Sequence, residues 1–234
     1  MAATTNDRIA TDPISYWEEI FSSRTWGLYP PEELVRFMAR RFGAVTDKSR
    51  LRVLEIGCGP GPNLWYLARE GYTVAGIDGS ATAIQQALGR LGREGLPTGL
   101  PLMDLAVGDF VSLPWPDQSF DAVIDIEAIY ANSFTTILAV VDEIHRTLKN
   151  GGLFFGKMFG DLTTGNDSGD PLEPGTRRNP TRGPCTGNVL AHFFSREELN
   201  GLFSSFNGLQ VDHVVRSDQS DEVRIHEWLV TAVK

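Results

Sequence analysis

Val53-Leu54-Glu55-Ile56-Gly57-Cys58-Gly59-Pro60-Gly61 is a short apolar run that ends in three alternating glycines and leads into NLWYLAREG at 63–71. An apolar run of this length bounded by glycine reads as a buried strand, and the segment after it as a helix. Glycines between a strand and a helix let backbone approach a ligand closely. Spacing then narrows the ligand. The dinucleotide pattern G-x-G-x-x-G wants its third glycine at position 62, where this chain has Pro62, and proline also removes a backbone donor. Glu55, two residues ahead of Gly57, suits a ligand carrying positive charge better than one carrying phosphates.

Outward from this stretch the same alternation repeats. Strands are expected at 72–78, at 101–110 (with Pro101 and Asp104 weakening its start), within 119–130 and at 152–160. Helices are expected at 80–95 and 135–152. Short apolar strands alternating with helices imply parallel pairing through right-handed crossovers, hence an α/β sheet with helices on both faces. Before the sheet, Asp12-Pro13 opens a helix at 12–22, and a second follows at 31–42 with acids in its first turn and arginines in its last. After it, residues 160–188 are rich in Gly, Pro, Thr, Asp and Arg and read as a long loop. Ser195 and Glu198 form a capping box ahead of a short helix, and 209–215 and 225–233 read as two closing strands.

Composition sets the outer bounds. The chain has 234 residues, 41% of them hydrophobic, enough for a sizeable core and about one to two domains. With no linker or repeat between segments, one domain is expected. A net charge of −9 argues against nucleic acid or an anionic membrane as partner. Cys58 and Cys185 form no disulfide framework, and no metal is expected, because no Cys/His cluster has zinc spacing. The polar opening MAATTNDRIATDP does not read as a secretory signal, and no apolar run nears the roughly 18 residues of a membrane span. A soluble, cytoplasmic protein, monomeric or homodimeric, is the expectation.

The strand ends carry acids. Asp78, in GIDGS, closes the second strand and is placed to accept from ribose hydroxyls. Such an acid seldom carries packing, so its loss is expected to affect the ligand rather than the fold. Gly108-Asp109-Phe110 closes the third, an acid and an aromatic suited to an adenine amino group and ring.

VLEIGCGPG, GIDGS, GDF, LPWPDQSFDAVID and LKNGGLFFGKMF occur in this order. Together they resemble the class I S-adenosylmethionine-dependent methyltransferases, strongly over about 50–160. The opening YWEEIFSSRTWGLYPPEELVRF at 16–37 looks like a bacterial small-molecule branch of that family. The resemblance implies a seven-stranded, mostly parallel sheet whose last, antiparallel strand inserts between strands five and six. It divides the chain into an N-terminal helical cap (1–45), a cofactor-binding core (50–160), a lid-like loop (160–190) and a C-terminal helix with a strand pair (191–234).

It also implies roles. Glu55, Gly57, Cys58 and Gly59 would surround the methionine part of S-adenosyl-L-methionine. Asp78 and Gly79 would meet the ribose, Asp109 and Phe110 the adenine, and Ile126 and Glu127 would lie beside the sulfonium. Trp26 would cover the cofactor with an aromatic face. Glu127 and His192 are the expected proton acceptors, and Tyr29 and Tyr130 are expected at the acceptor. Arg177, Arg178 and Arg182, in an otherwise acidic chain, suggest a lid that meets an anionic group on a small-molecule acceptor. DIEAIY stands where nucleic-acid methyltransferases carry N/D-P-P-Y/F, which argues against an amino-purine or glutamine amide acceptor. The expected function is O- or N-methylation of a small molecule, working mainly by proximity. A nicotinamide-dependent oxidoreductase and a catalytically silent S-adenosylmethionine-binding module are the alternatives.

Overall fold

The computed structural model describes residues 12–24, 26–99 and 101–234, so most of the polar opening lies outside the described residues. Its strands are β1 (Arg52–Ile56), β2 (Thr73–Asp78), β3 (Met103–Val107), β4 (Phe120–Ile126), β5 (Leu148–Phe159), β6 (Asp170–Glu173), β7 (Thr176–Arg178), β8 (Leu190–His192), β9 (Asn207–Asp218) and β10 (Val223–Val233). Its α-helices are α1 (Pro13–Ser23), α2 (Glu32–Phe42), α3 (Pro62–Arg69), α4 (Ala81–Arg93), α5 (Phe134–Thr147) and α6 (Arg196–Leu202).

Seven strands form one sheet in the order β3-β2-β1-β4-β5-β10-β9. β1 to β5 run parallel, and β10 runs antiparallel between β5 and β9. Alternate residues serve opposite faces. Val53, Val74, Ala122 and Ile124 join the core under α2, α3 and α4, while Leu54, Ile77 and Val123 join the core under α5 and α6. Burial on both faces is why these strands read as unbroken apolar runs. The chain reverses direction across the sheet between β1 and β4, and their carboxyl ends open a crevice where such sheets bind ligands. The helix starts follow their polar caps: Asp12 accepts from the Ser15 N–H at 2.9 Å, Ser80 from Ala83 at 3.0 Å, and the Ser195–Glu198 capping box is formed.

Residues 160–188 depart from the expected loop. β6, β7 and β8 form a three-stranded antiparallel sheet, and the connections turn through glycines in the left-handed region, among them Gly165, Gly175 and Gly187. Thr163, Ser168, Thr176 and Asn188 are buried with hydrogen-bond partners. Hydrogen bonding does here what apolar contact does elsewhere, so a composition that looks solvated belongs to ordered structure. α5 also stops at Thr147, short of its expected end, because Leu148 turns extended and pairs with Phe120.

Candidate functional site

A cavity of about 750 Å³ lies over the crevice. Its floor is the glycine loop. Gly57, Gly59 and Gly61 have φ of 64°, 52° and 78°, which L side chains rarely adopt. A Cβ on Gly57 would fall 2.2 Å from that of Ala128, so the loop is pressed against the β4 exit. A Cβ on Gly59 would meet only the Phe21 ring, at 3.5 Å, so its other side is open. Pro62, the first residue of α3, takes a place where a helix needs no N–H partner.

Two acids organise this end. Asp78 accepts from the Gly59 N–H with one carboxylate oxygen and from the Ser80 N–H with the other, both at 2.8 Å. Burial pushes its pKa up against those bonds. Glu55 accepts from the Asn63 side-chain amide at 2.6 Å, while its second oxygen and the Asn63 carbonyl oxygen have no partner within the protein. Both residues are buried and border the cavity, and burial holds the Glu55 carboxyl well above the usual carboxylate range. Buried polar atoms without partners mark a place for a ligand or water.

The other expected cofactor residues border the same cavity. Cys58 is buried inside the loop, and a Cβ on Gly79 would meet Ile14 of α1 at 3.2 Å. Asp109 is exposed at the rim, Phe110 is half-buried beside Gly57, and Ile126 closes β4. Trp26 stands edge-on to Trp17 and Phe21, with ring centroids 6.0 and 5.3 Å away. Tyr29 is at the mouth, 72% exposed and edge-on to Trp65.

Glu127 leaves β4 with φ 55°, an unusual conformation for a residue with a side chain. The Glu127 N–H donates to the Lys157 carbonyl, and the Lys157 ammonium donates to the Glu127 carboxylate at 2.7 Å and to that of Glu227 at 2.9 Å. Glu227 is fully buried, and Arg216 approaches its other oxygen at 3.6 Å. Burial acts to raise the Glu127 pKa, but the neighbouring Glu227 and Lys157 outweigh it and hold the carboxyl below its ordinary value. Glu227, deeper, is raised by burial and by Glu127. Tyr130 joins a second chain: the Tyr16 hydroxyl donates to the Asn188 carbonyl oxygen at 3.2 Å, and the Asn188 amide donates to the Tyr130 hydroxyl at 2.8 Å.

Four expectations are corrected. His192 is fully buried outside the cavity wall, stacked on Phe134 and hydrogen-bonded to Thr176 at 2.7 Å. It packs β8 and does not meet an acceptor. Arg177, Arg178 and Arg182 do not reach the cavity either. The Arg177 guanidinium donates to the Asn166 carbonyl, Arg182 pairs with Asp167 at 2.7 Å, and Arg178 is exposed on β7. Arg177 and Arg182 border a separate hollow of about 410 Å³. The turns that order 160–188 point these side chains away, and the arginines in the cavity wall are Arg24, which follows α1, and Arg216 of β9. The anionic-acceptor expectation loses its basis with them.

Asn63, Asn188, Lys157, Arg216 and Glu227 were not anticipated. Lys157 in GLFFGKMF and Glu227 in IHEWLV carried a signal, since a lone charge inside an apolar strand must find a partner. Among the described residues no His, Cys, Asp and Glu cluster could hold a metal ion, and no helix is long and apolar enough to cross a membrane.

Comparison with known proteins agrees with this geometry. Residues 54–156 match a family model described as a methyltransferase domain. The chain is 31% identical over 174 residues to the sterol 24-C-methyltransferase erg-4 of Neurospora crassa, covering 70% of this chain and 43% of that one. It is 32% identical over 128 residues to the fatty-acid O-methyltransferase of Mycolicibacterium smegmatis, covering 53% of this chain and 43% of that one. The chain thus spans less than half the length of these relatives. A solved S-adenosylmethionine-dependent methyltransferase of Methanosarcina mazei superimposes with a TM-score of 0.67 at 24% identity, covering 88% of this chain and 99% of that one.

Proposed function

From a chain whose residues 54–156 match a methyltransferase-domain model, on the class I S-adenosylmethionine-dependent methyltransferase fold, we propose that the protein methylates an O or N atom of a small molecule. The observation that carries this reading is the pair of unpartnered, buried acceptor atoms on Glu55 and Asn63, beside an open glycine floor. They fit the ammonium of the donor's methionine part and would repel a pyrophosphate, which speaks against the nicotinamide alternative.

When bound, S-adenosyl-L-methionine supplies a methyl group on a sulfonium, an already activated leaving group. The chain's own work is then to hold two partners in line. Glu55 and Asn63 bind the donor's ammonium. Asp78 keeps the Gly59 and Ser80 amides fixed and has lone pairs left for ribose hydroxyls. Asp109 and Phe110 take the adenine, and Gly57, Cys58 and Gly79 shape the floor. Ile126, Trp17 and Trp26 keep water from the sulfonium. Tyr16, Tyr130, Asn188 and Phe159 make a partly aromatic wall for the acceptor, with Tyr29 at the entrance.

Glu127 takes the proton that a hydroxyl or ammonium acceptor must lose. Its depressed pKa keeps it ionised at neutral pH but makes it a weak base. That suffices because the acceptor's proton becomes strongly acidic as the bond to the methyl group forms. Lys157 fixes the Glu127 oxygen in place.

The test is transfer of labelled methyl from S-adenosylmethionine to a panel of a fatty acid, a sterol and phosphoethanolamine. We expect label on an O or N atom of one class, and a fall of about a hundredfold in kcat for Glu127→Gln with donor affinity unchanged. Label on a sterol carbon would contradict the reading. Donor binding without transfer to any member would favour the silent-module alternative.

A further inference from the structure

α1 crosses the cavity and is tied down on both banks. On the acceptor side, Tyr16 bonds Asn188. On the donor side, one Glu18 carboxylate oxygen accepts from the Ser80 hydroxyl and the Thr82 N–H, and the other accepts from the Thr82 hydroxyl. One turn further, the Gln86 amide donates to the Phe21 carbonyl at 2.7 Å. Ser80 caps α4 and follows the Asp78-Gly79 corner, so Glu18 also places negative charge at the N-terminus of α4.

These ties set down two apolar side chains on the donor's expected bed. Ile14 rests against Gly79 and Phe21 against Gly59. A ligand that lies between Gly59, Asp78 and Gly79 is covered by Ile14 and Phe21, so it exchanges only when α1 lifts. No other carboxylate of α1 reaches α4 in this way: Glu19, next along, is exposed.

We infer that Glu18 is a positioning residue of the donor site: its latch on Ser80 and Thr82 holds α1 as a strap, and release of the latch sets how fast the demethylated product leaves. The inference rests on the methyltransferase reading above. It gives the helix a kinetic task, because breaking three hydrogen bonds to one carboxylate precedes exchange.

S-Adenosylhomocysteine is the probe, and Trp17 and Trp26, which sit against Phe21, report its departure by fluorescence in stopped flow. In the full chain, Glu18→Ala should raise the dissociation rate about tenfold or more, with the association rate moving much less. Glu18→Gln, which keeps one acceptor oxygen, should fall between wild type and Glu18→Ala. Glu19→Ala, on the same helix, should match wild type. Should Glu18→Ala not fold, Thr82→Val loosens the latch from α4, and it should also speed dissociation. In a double-mutant cycle Glu18→Ala and Thr82→Val should fall short of additive, because both act on one contact. A dissociation rate within twofold of wild type for Glu18→Ala and Thr82→Val overturns the latch alone. Failure of the wild-type chain to bind S-adenosylhomocysteine overturns the donor reading and the latch with it.

Discussion

Asp78 uses both carboxylate oxygens on backbone N–H groups of the loops that flank the cavity, so it cannot be a ligand contact only. The expectation that a strand-end acid carries nothing structural is corrected here. Asp78→Ala leaves two buried donors unpaired, and each such loss costs about 1–3 kcal/mol. Urea unfolding should therefore show a drop of a few kcal/mol alongside weakened donor binding. A variant as stable as wild type would mean that the loops do not depend on this carboxylate.

Asp125 is the second residue with a readable consequence. It is fully buried, one oxygen accepts from the Ala128 and Ile129 N–H groups, and the other has no partner. Burial raises its pKa from 3.8 to about 7. Between those values the folded chain binds a proton that the unfolded chain has lost, so stability falls as pH rises through that window and is flat above it. Asp125→Asn keeps the accepting oxygen and removes the titration. Unfolding free energies measured from about pH 4 to about pH 8 should decline less in the variant, by a few kcal/mol across the window. Parallel curves for the two proteins would show that Asp125 does not titrate there.

At the scale of elements, one ammonium ties three strands at the edge of the cavity. Lys157 of β5 holds Glu127, at the exit of β4, and Glu227 of β10. Removing one partner of a buried ionic cluster strands the others, at a cost of about 3–5 kcal/mol. Lys157→Met should lose about that much at alkaline pH. Without the ammonium the two carboxyls have raised folded pKa values, so the deficit should shrink as pH falls and they protonate. A deficit that does not change with pH would assign the loss to packing instead. Lys157 and Glu227 show how a site can lie in plain view in the sequence: each is a single charge in an apolar strand, yet no spacing rule pairs residues 70 positions apart. The strands themselves were legible because burial on both faces writes an unbroken apolar run. Residues 160–188 were not, because Thr176 and Asn188, buried and bonded, are the same letters as solvated ones.

Across the whole molecule, the two ends of the cavity differ in how far they can be read. Glu55, the glycine loop, Asp78 and Asp109 all fall within 54–156, the stretch that matches the methyltransferase model. Tyr16, Asn188 and Arg216, which line the same cavity, fall outside it. The residues of the proposed donor site are therefore the ones that motif spacing picks out. The rest of the cavity wall is not picked out, because α1, β9 and the connection before β8 supply it from residues with no motif of their own. His192 and the three arginines were misplaced for the same reason: position along the chain did not reveal which side of the β6-β7-β8 sheet each side chain faces.

Both the proposed reaction and the latch depend on which cofactor enters the cavity. Calorimetric titration of the purified chain with S-adenosylhomocysteine and, separately, with NAD measures this directly. One S-adenosylhomocysteine should bind per chain, binding should be lost in Glu55→Leu, which removes the orphaned acceptor, and NAD should give no heat of binding. Saturable binding of NAD with none of S-adenosylhomocysteine would contradict both the reaction and the latch.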